Sequence, residues 1–386
     1  MSVVAGGSGE GMKGKSSLVL GVLVALGALS FVVAMASGSA THAWAVFLVN
    51  LLFWSGLSAA GPAIAGIFEL TDARWAVRLR RIATTTVAFM PFSFVLFILL
   101  MLGLRALYPW VSVPIPKKAA WLNVPFFVLR TIVGVAALYW VSVRFAKAVH
   151  RSTAGAGEEP GRSERACLAV WLLFLFVIVG SLLGYDLIMS LDAHWFSGLL
   201  GGYVVVGMLY SGFALLVLLT GVHSFGRPGW VMPPKEMQDL AKLVFATCIV
   251  WIYFFWSQYL VIWYGNVPVE TRFVLQRFFA EPWRTLALWS FFLGWVLPFA
   301  YGLVRLTGRP PDGHRILIAV SSMSLLAVFL EILILVLPST AVPGVTAYGA
   351  SDILLTLLMT AGFGALFILS FRVFVPRFGL TSRGEA

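Results

Sequence analysis

Ten apolar segments, each long enough to cross the ~30 Å of hydrocarbon in a bilayer, limit this chain more than any other feature. They fall at 17–37, 43–68, 82–108, 121–147, 165–190, 196–222, 237–263, 283–306, 314–338 and 348–372, here helices 1 to 10. No water reaches the backbone inside a bilayer, so such segments must close their own hydrogen bonds as helices. Only 11% of the 386 residues are charged and 60% are hydrophobic, whereas soluble domains carry roughly 25% charged residues. The expected fold is an all-α polytopic membrane protein: a tail at 1–16, a ten-helix domain at 17–372 and a second tail at 373–386. AMAS at 34–37 resembles a signal-peptide cleavage site, but the preceding apolar run is long for a signal peptide and is read as a helix.

The net charge is +11, and its placement matters more than its size. Basic residues crowd the connections after even-numbered helices. Arg74, Arg78, Arg80 and Arg81 follow helix 2, and Lys147, Arg151, Arg162 and Arg165 follow helix 4. Arg227 and Lys235 follow helix 6, Arg305, Arg309 and Arg315 follow helix 8, and Arg372, Arg377 and Arg383 follow helix 10. The opposite connections hold Lys117, Lys118, Arg272, Arg277 and Arg284. The positive-inside rule then expects both termini in the cytoplasm. The charge is read as an address for topology, not as a nucleic-acid patch.

Ionisable side chains cost about 2.5–3.5 kcal/mol at the bilayer centre on insertion scales, so each one embedded suggests a function. Arg130 in helix 4, Asp186 near the end of helix 5 and Glu331 in helix 9 all fall towards the outer face. Asp192 and His194 follow in a short outer loop, and Asp352 begins helix 10 on the same side. The inner half is poor in embedded charge. Thr84, Thr85 and Thr86 are read as bonded back to their own helix. Helix 7 ends at the outer face too, in QYLVIWYGNVP at 258–268. Its Gln258, Tyr259, Trp263 and Tyr264 suit either an interfacial aromatic belt or the wall of a ligand site.

A faint repeat runs through the chain. Phe53-Trp54-Ser55-Gly56-Leu57 is matched by Trp195-Phe196-Ser197-Gly198-Leu199, each read as starting a helix, 2 and 6. Asp186 is matched by Glu331, and Pro125 with Arg130 by Pro282 with Arg284. The order suggests two parallel four-helix bundles, helices 2–5 (43–190) and 6–9 (196–338), with helices 1 and 10 peripheral.

The five histidines lie in loops or at helix ends, and the two cysteines, Cys167 and Cys248, are read as small core residues. Neither set suits bis-histidine haem or an iron–sulfur cluster. No redox metal is expected in this chain, so any electrons belong to a partner.

With Gln258 to Glu270 (QYLVIWYGNVPVE) and Asp186 to Ser197 (DLIMSLDAHWFS) in view, the chain resembles a membrane-anchor subunit of alternative complex III. That complex is a bacterial quinol:electron-acceptor oxidoreductase, and its anchors are related to those of polysulfide-reductase (NrfD-like) type. The resemblance implies a respiratory-chain subunit of the bacterial inner membrane. It implies as partners a homologous membrane anchor, an iron–sulfur protein and haem c proteins, with menaquinol or ubiquinol as the lipid-soluble reductant. In the family the homologous partner anchor is the better-supported quinol site, and the anchor that this chain resembles scaffolds and conducts protons.

On that basis Asp186, Glu331, Asp192 and His194 are the expected proton-transfer residues. Gln258, Tyr259, Trp263, Tyr264 and Arg130 are the expected quinol-binding residues. The alternative is a cofactor-free scaffold that docks redox partners through 269–280, where Arg272 and Arg277 mix with Phe273, Phe278 and Phe279.

Overall fold

The computed structural model describes residues 7–151, 161–225, 233–307, 315–340 and 349–377. Parts of both expected tails, and Arg227, Arg309 and Arg383, lie outside these. Among the described residues all regular structure is helical. Ten helices are long and apolar enough to cross a membrane: Ser16–Ala36, Ala40–Leu70, Arg74–Leu107, Val124–Arg151, Arg162–Asp192, Leu200–Gly221, Pro234–Gly265, Trp283–Leu306, Arg315–Thr340 and Ala350–Val373. They are helices 1 to 10, and the fold is an all-α polytopic membrane protein. Helix 3 starts earlier than its apolar run, at Arg74. Its arginine-rich first turns still bury Ala76, Leu79 and Ala83, which a hydropathy window cannot see.

Helix 2 is buried along nearly its whole length. It packs against helices 3, 4, 5, 6 and 9. The run SGLSAAGPAIAG at 55–66 permits this, since small residues let helices approach closely in a membrane. Helix 6 packs on helices 2, 5, 7 and 9, while helix 8 lies against 7 and 9. Helix 1 packs mainly on helix 10. The pair meets helix 2 through Asn50, whose amide donates to Thr360 Oγ1 at 3.2 Å, and through Trp54 against Phe367.

Two prolines free carbonyls in helices 2 and 3. Pro62 has no N–H, so the Ser58 carbonyl in helix 2 loses its usual donor. In helix 3, Pro91 likewise deprives Val87, whose carbonyl instead receives the Met90 N–H in a tighter 3₁₀ turn. That in turn frees the Thr86 carbonyl. The two freed carbonyls are satisfied reciprocally: Thr86 Oγ1 donates to Ser58 O at 2.9 Å, and Ser58 Oγ donates to Thr86 O at 2.8 Å. Thr84 and Thr85 bond back to their own helix as expected, and Thr86 does so while also reaching helix 2. Gly61 makes the approach possible, because a Cβ there would collide with Thr86 Oγ1 and the Ala83 carbonyl. Gly61→Ala should therefore cost about 1–3 kcal/mol through overpacking. The check is the thermal midpoint of the purified protein, and an unchanged midpoint would contradict this packing.

Helices 5 and 8 each contain a π-turn, at Gly184–Ile188 and Phe292–Val296. Each presents a carbonyl to a tyrosine hydroxyl: Tyr108 donates to Leu187 O at 3.0 Å, and Tyr210 donates to Gly294 O at 2.6 Å. Gly294 lies four residues before Pro298, which cannot supply it a donor. Turns of this kind recur at functional sites, and these two flank the residues below.

The repeat does not hold in position. Phe53–Leu57 lies within helix 2, well past its start at Ala40, whereas Trp195–Leu199 precedes helix 6. Cys248 is buried, but Cys167 is exposed. In a membrane an outward face can be as apolar as the core, so an apolar run does not fix burial.

Candidate functional site

The expected cluster divides among three places. The first is a clamp between helices 4 and 5. Arg130 donates from Nε to Asp186 Oδ2 at 2.6 Å and from Nη2 to Asp186 Oδ1 at 2.7 Å. The Trp121 indole N–H donates to Asp186 Oδ1 at 3.1 Å, and Arg130 Nη1 donates to the Trp121 carbonyl at 2.8 Å. The guanidinium also lies over the Trp121 ring, 4.2 Å from its centroid. Such bidentate, stacked geometry is what arginine offers and lysine does not. The Asp186 carboxylate is committed to these donors, while its backbone carbonyl receives the Ser190 hydroxyl. Here the pair joins two helices.

The second place is a cleft bounded by helices 7, 8 and 9. It is closed on one side by Tyr203 of helix 6 and on another by the short helix Pro268–Phe278. Trp251, Phe255, Gln258, Tyr259 and Ile262 line it from helix 7, at the spacing that puts residues on one helical face. Glu331 of helix 9 sits at its base. The Trp251 indole N–H donates to Glu331 Oε2 at 2.7 Å, and the Tyr203 side chain lies beside the carboxyl. Tyr203 and Tyr210, two turns apart on helix 6, both face the Trp251 ring. Gly294 keeps that ring seated, because a Cβ there would lie 3.0 Å from it. Among the described residues no cation pairs with Glu331. The enclosed space is about 60 Å³, and the rim is aromatic, with Tyr259, Phe278 and Phe291.

The third place is the surface at the same end. His194 is exposed, and Asp192 pairs with Arg272 at 3.2 Å. Trp263 and Tyr264 are 64% and 86% exposed. In the sequence they run on from Gln258. The turn of helix 7 separates them, since Gln258 and Tyr259 share the cleft face and the other two do not. Asp352 caps the start of helix 10 by accepting from the Gly349 N–H at 3.0 Å.

Arg277 corrects the docking reading of 269–280. It is fully buried, not part of a surface face. Its guanidinium lies 3.4 Å from the Phe273 centroid. It donates to Phe273 O at 3.1 Å, to Leu335 O at 3.0 Å and to Ser339 Oγ at 2.5 Å. Burial pulls the guanidinium down from its usual range to about 9, with Asp192 pulling it back up, so it remains a cation at neutral pH. Phe273 and Leu335 are also walls of the Glu331 cleft, which puts this charge directly behind them.

The arginine-rich end holds more than a topological address. Glu69 of helix 2 is buried with Arg80 and Arg165 as ion-pair partners, the latter at 3.0 Å. Embedded charge is therefore not confined to the opposite end, as the sequence suggests. Glu69, Arg80 and Arg165 are hard to recognise as buried because they sit at helix ends, where charge reads as loop.

Comparison with protein-family models gives no match, and comparison with curated proteins finds no significant match. The site is therefore read from its own chemistry. Trp121 and Trp251, which donate to Asp186 and Glu331, and Tyr203 beside Glu331 do not stand out in the sequence. The available signal is position: Trp251 and Tyr210 occupy helix interiors, away from the interfacial belt where aromatic residues usually collect.

Proposed function

We propose that this chain is an integral membrane subunit of a quinol-oxidising respiratory complex of the alternative complex III type. The observation that carries the reading is Glu331, a carboxyl with no cationic partner among the described residues, held by Trp251 beside Tyr203 at the base of an aromatic cleft. Oxidation of a quinol releases two electrons and two protons. Glu331 accepts a proton from the quinol hydroxyl, a role suited to a buried carboxylate. Gln258 hydrogen-bonds a quinol oxygen, and Tyr259 and Phe255 pack the ring. The electrons pass to iron–sulfur and haem c centres of partner subunits, and the protons leave at the Asp192 and His194 surface. On this reading a ring enters past Phe278 and Phe291 at the rim. By the same proposal the arginine-rich end faces the cytoplasm of a bacterial inner membrane, and a homologous anchor shares the quinol chemistry.

The test is purification through a tag on this chain, with a quinone photoprobe added to the assembly. Haem c and iron–sulfur proteins should copurify, and labelling should map to helices 7 and 9. Copurification without labelling there would favour the second reading, a scaffold with no quinol of its own. The exposed Trp263, Tyr264 and Phe279 support that reading as a partner-facing surface.

A further inference from the structure

A chamber of about 420 Å³ opens at the arginine-poor end, between the connection from helix 3 to helix 4 and the chain leaving helix 5. Its walls include Lys117, Lys118, Trp121, Tyr185, Trp195 and Phe196. We propose that this chamber binds the headgroup phosphate of an anionic phospholipid, with the acyl chains lying along Trp121 and Phe196.

Three observations carry the proposal. The first is charge: among the described residues no carboxylate pairs with either lysine. Lys118 donates one proton to the Ala193 carbonyl at 2.6 Å, and the ammonium group has two more to give. The second is a buried donor. Trp195 is 1% exposed, its ring is stacked 3.6 Å from Phe273, and its indole N–H has no hydrogen-bond partner. Buried donors are almost always satisfied, so this one, in a side chain of the chamber wall, calls for an acceptor that reaches it as the lining side chains shift. The third is shape and place. Trp121 and Phe196 are both exposed large apolar groups beside two cations, next to the ends of membrane-length helices. An amphiphile with an anionic head satisfies all three.

A neutral quinol fits less well. It would leave both ammonium groups uncompensated, and among the described residues no carboxylate lines the chamber to take its proton. Asp186 lies behind Trp121, committed to Arg130. The proposal therefore stands apart from the quinol reading of the Glu331 cleft.

The experiment is native mass spectrometry of the purified full chain, titrated with phosphatidylglycerol or phosphatidylcholine of identical acyl chains. Wild type should retain phosphatidylglycerol preferentially. Lys117→Gln should weaken that retention about fivefold, and Lys117→Gln with Lys118→Gln about 30-fold, the scale of one basic residue and two at an anionic lipid surface. Trp195→Phe keeps the ring stack and removes the N–H, and should weaken retention several-fold. Lys117 is exposed, so its single variant tests the charge without disturbing the fold. Equal retention of the two lipids, or a double variant that binds as wild type does, would overturn the proposal. Displacement of phosphatidylglycerol by millimolar inorganic phosphate would also overturn it, by making this a site for a small soluble anion.

Discussion

Arg130→Met will leave Asp186 as a buried carboxylate without its cation, and the fold should lose about 3–5 kcal/mol. The cost comes from the stranded charge more than from the missing attraction. Among the described residues the Trp121 N–H is the one donor that remains for the carboxylate oxygens. The companion Arg130→Met with Asp186→Leu removes both charges and should recover most of the loss, since a buried pair replaced by apolar residues of similar size is often neutral. Reversible denaturation in mixed micelles would measure both variants. If the single variant unfolds at the wild-type midpoint, the clamp does not hold helices 4 and 5 together.

Glu331→Gln should lower quinol turnover by the assembled complex about 10²–10⁴-fold, the usual worth of a positioned proton acceptor. The amide keeps the size of the carboxyl, and its oxygen still accepts from Trp251, so partners should copurify as before. Trp251→Phe should give a smaller loss, because it removes one donor to the carboxyl and leaves the acceptor itself. Full turnover by a correctly assembled Glu331→Gln complex would exclude this carboxyl from the chemistry and leave the scaffold reading in its place.

The ten spans are legible in the sequence because hydropathy alone selects them, and their ends agree closely except where helix 3 continues through Arg74–Arg81. Which face of each helix turns inward is not legible. In a bilayer the outer surface is as apolar as the interior, so Trp140 and Trp171 face out while Trp44 and Trp251 are buried, with nothing in composition to separate them. Arg130, Asp186 and Glu331 can be picked out because charge is rare and costly in hydrocarbon. Their grouping cannot, because all three share a depth but not a helix pair. Gln258 and Trp263 also look alike in the sequence, five residues apart, and only the helical turn puts one in the cleft and the other outside it. The pairing of Ser58 with Thr86 is hidden for a different reason. It depends on a second proline, in another helix, freeing a second carbonyl.

The link between Asn50 and Thr360 bears on how the protein is made. The two residues are 310 positions apart, so when helix 2 enters the bilayer its amide has donated only to its own helix, at Val46. Seven further helices are made before helix 10 brings Thr360 to that amide. A frameshift near the last span would therefore leave the Asn50 amide without its partner in another helix, far from the lesion in sequence.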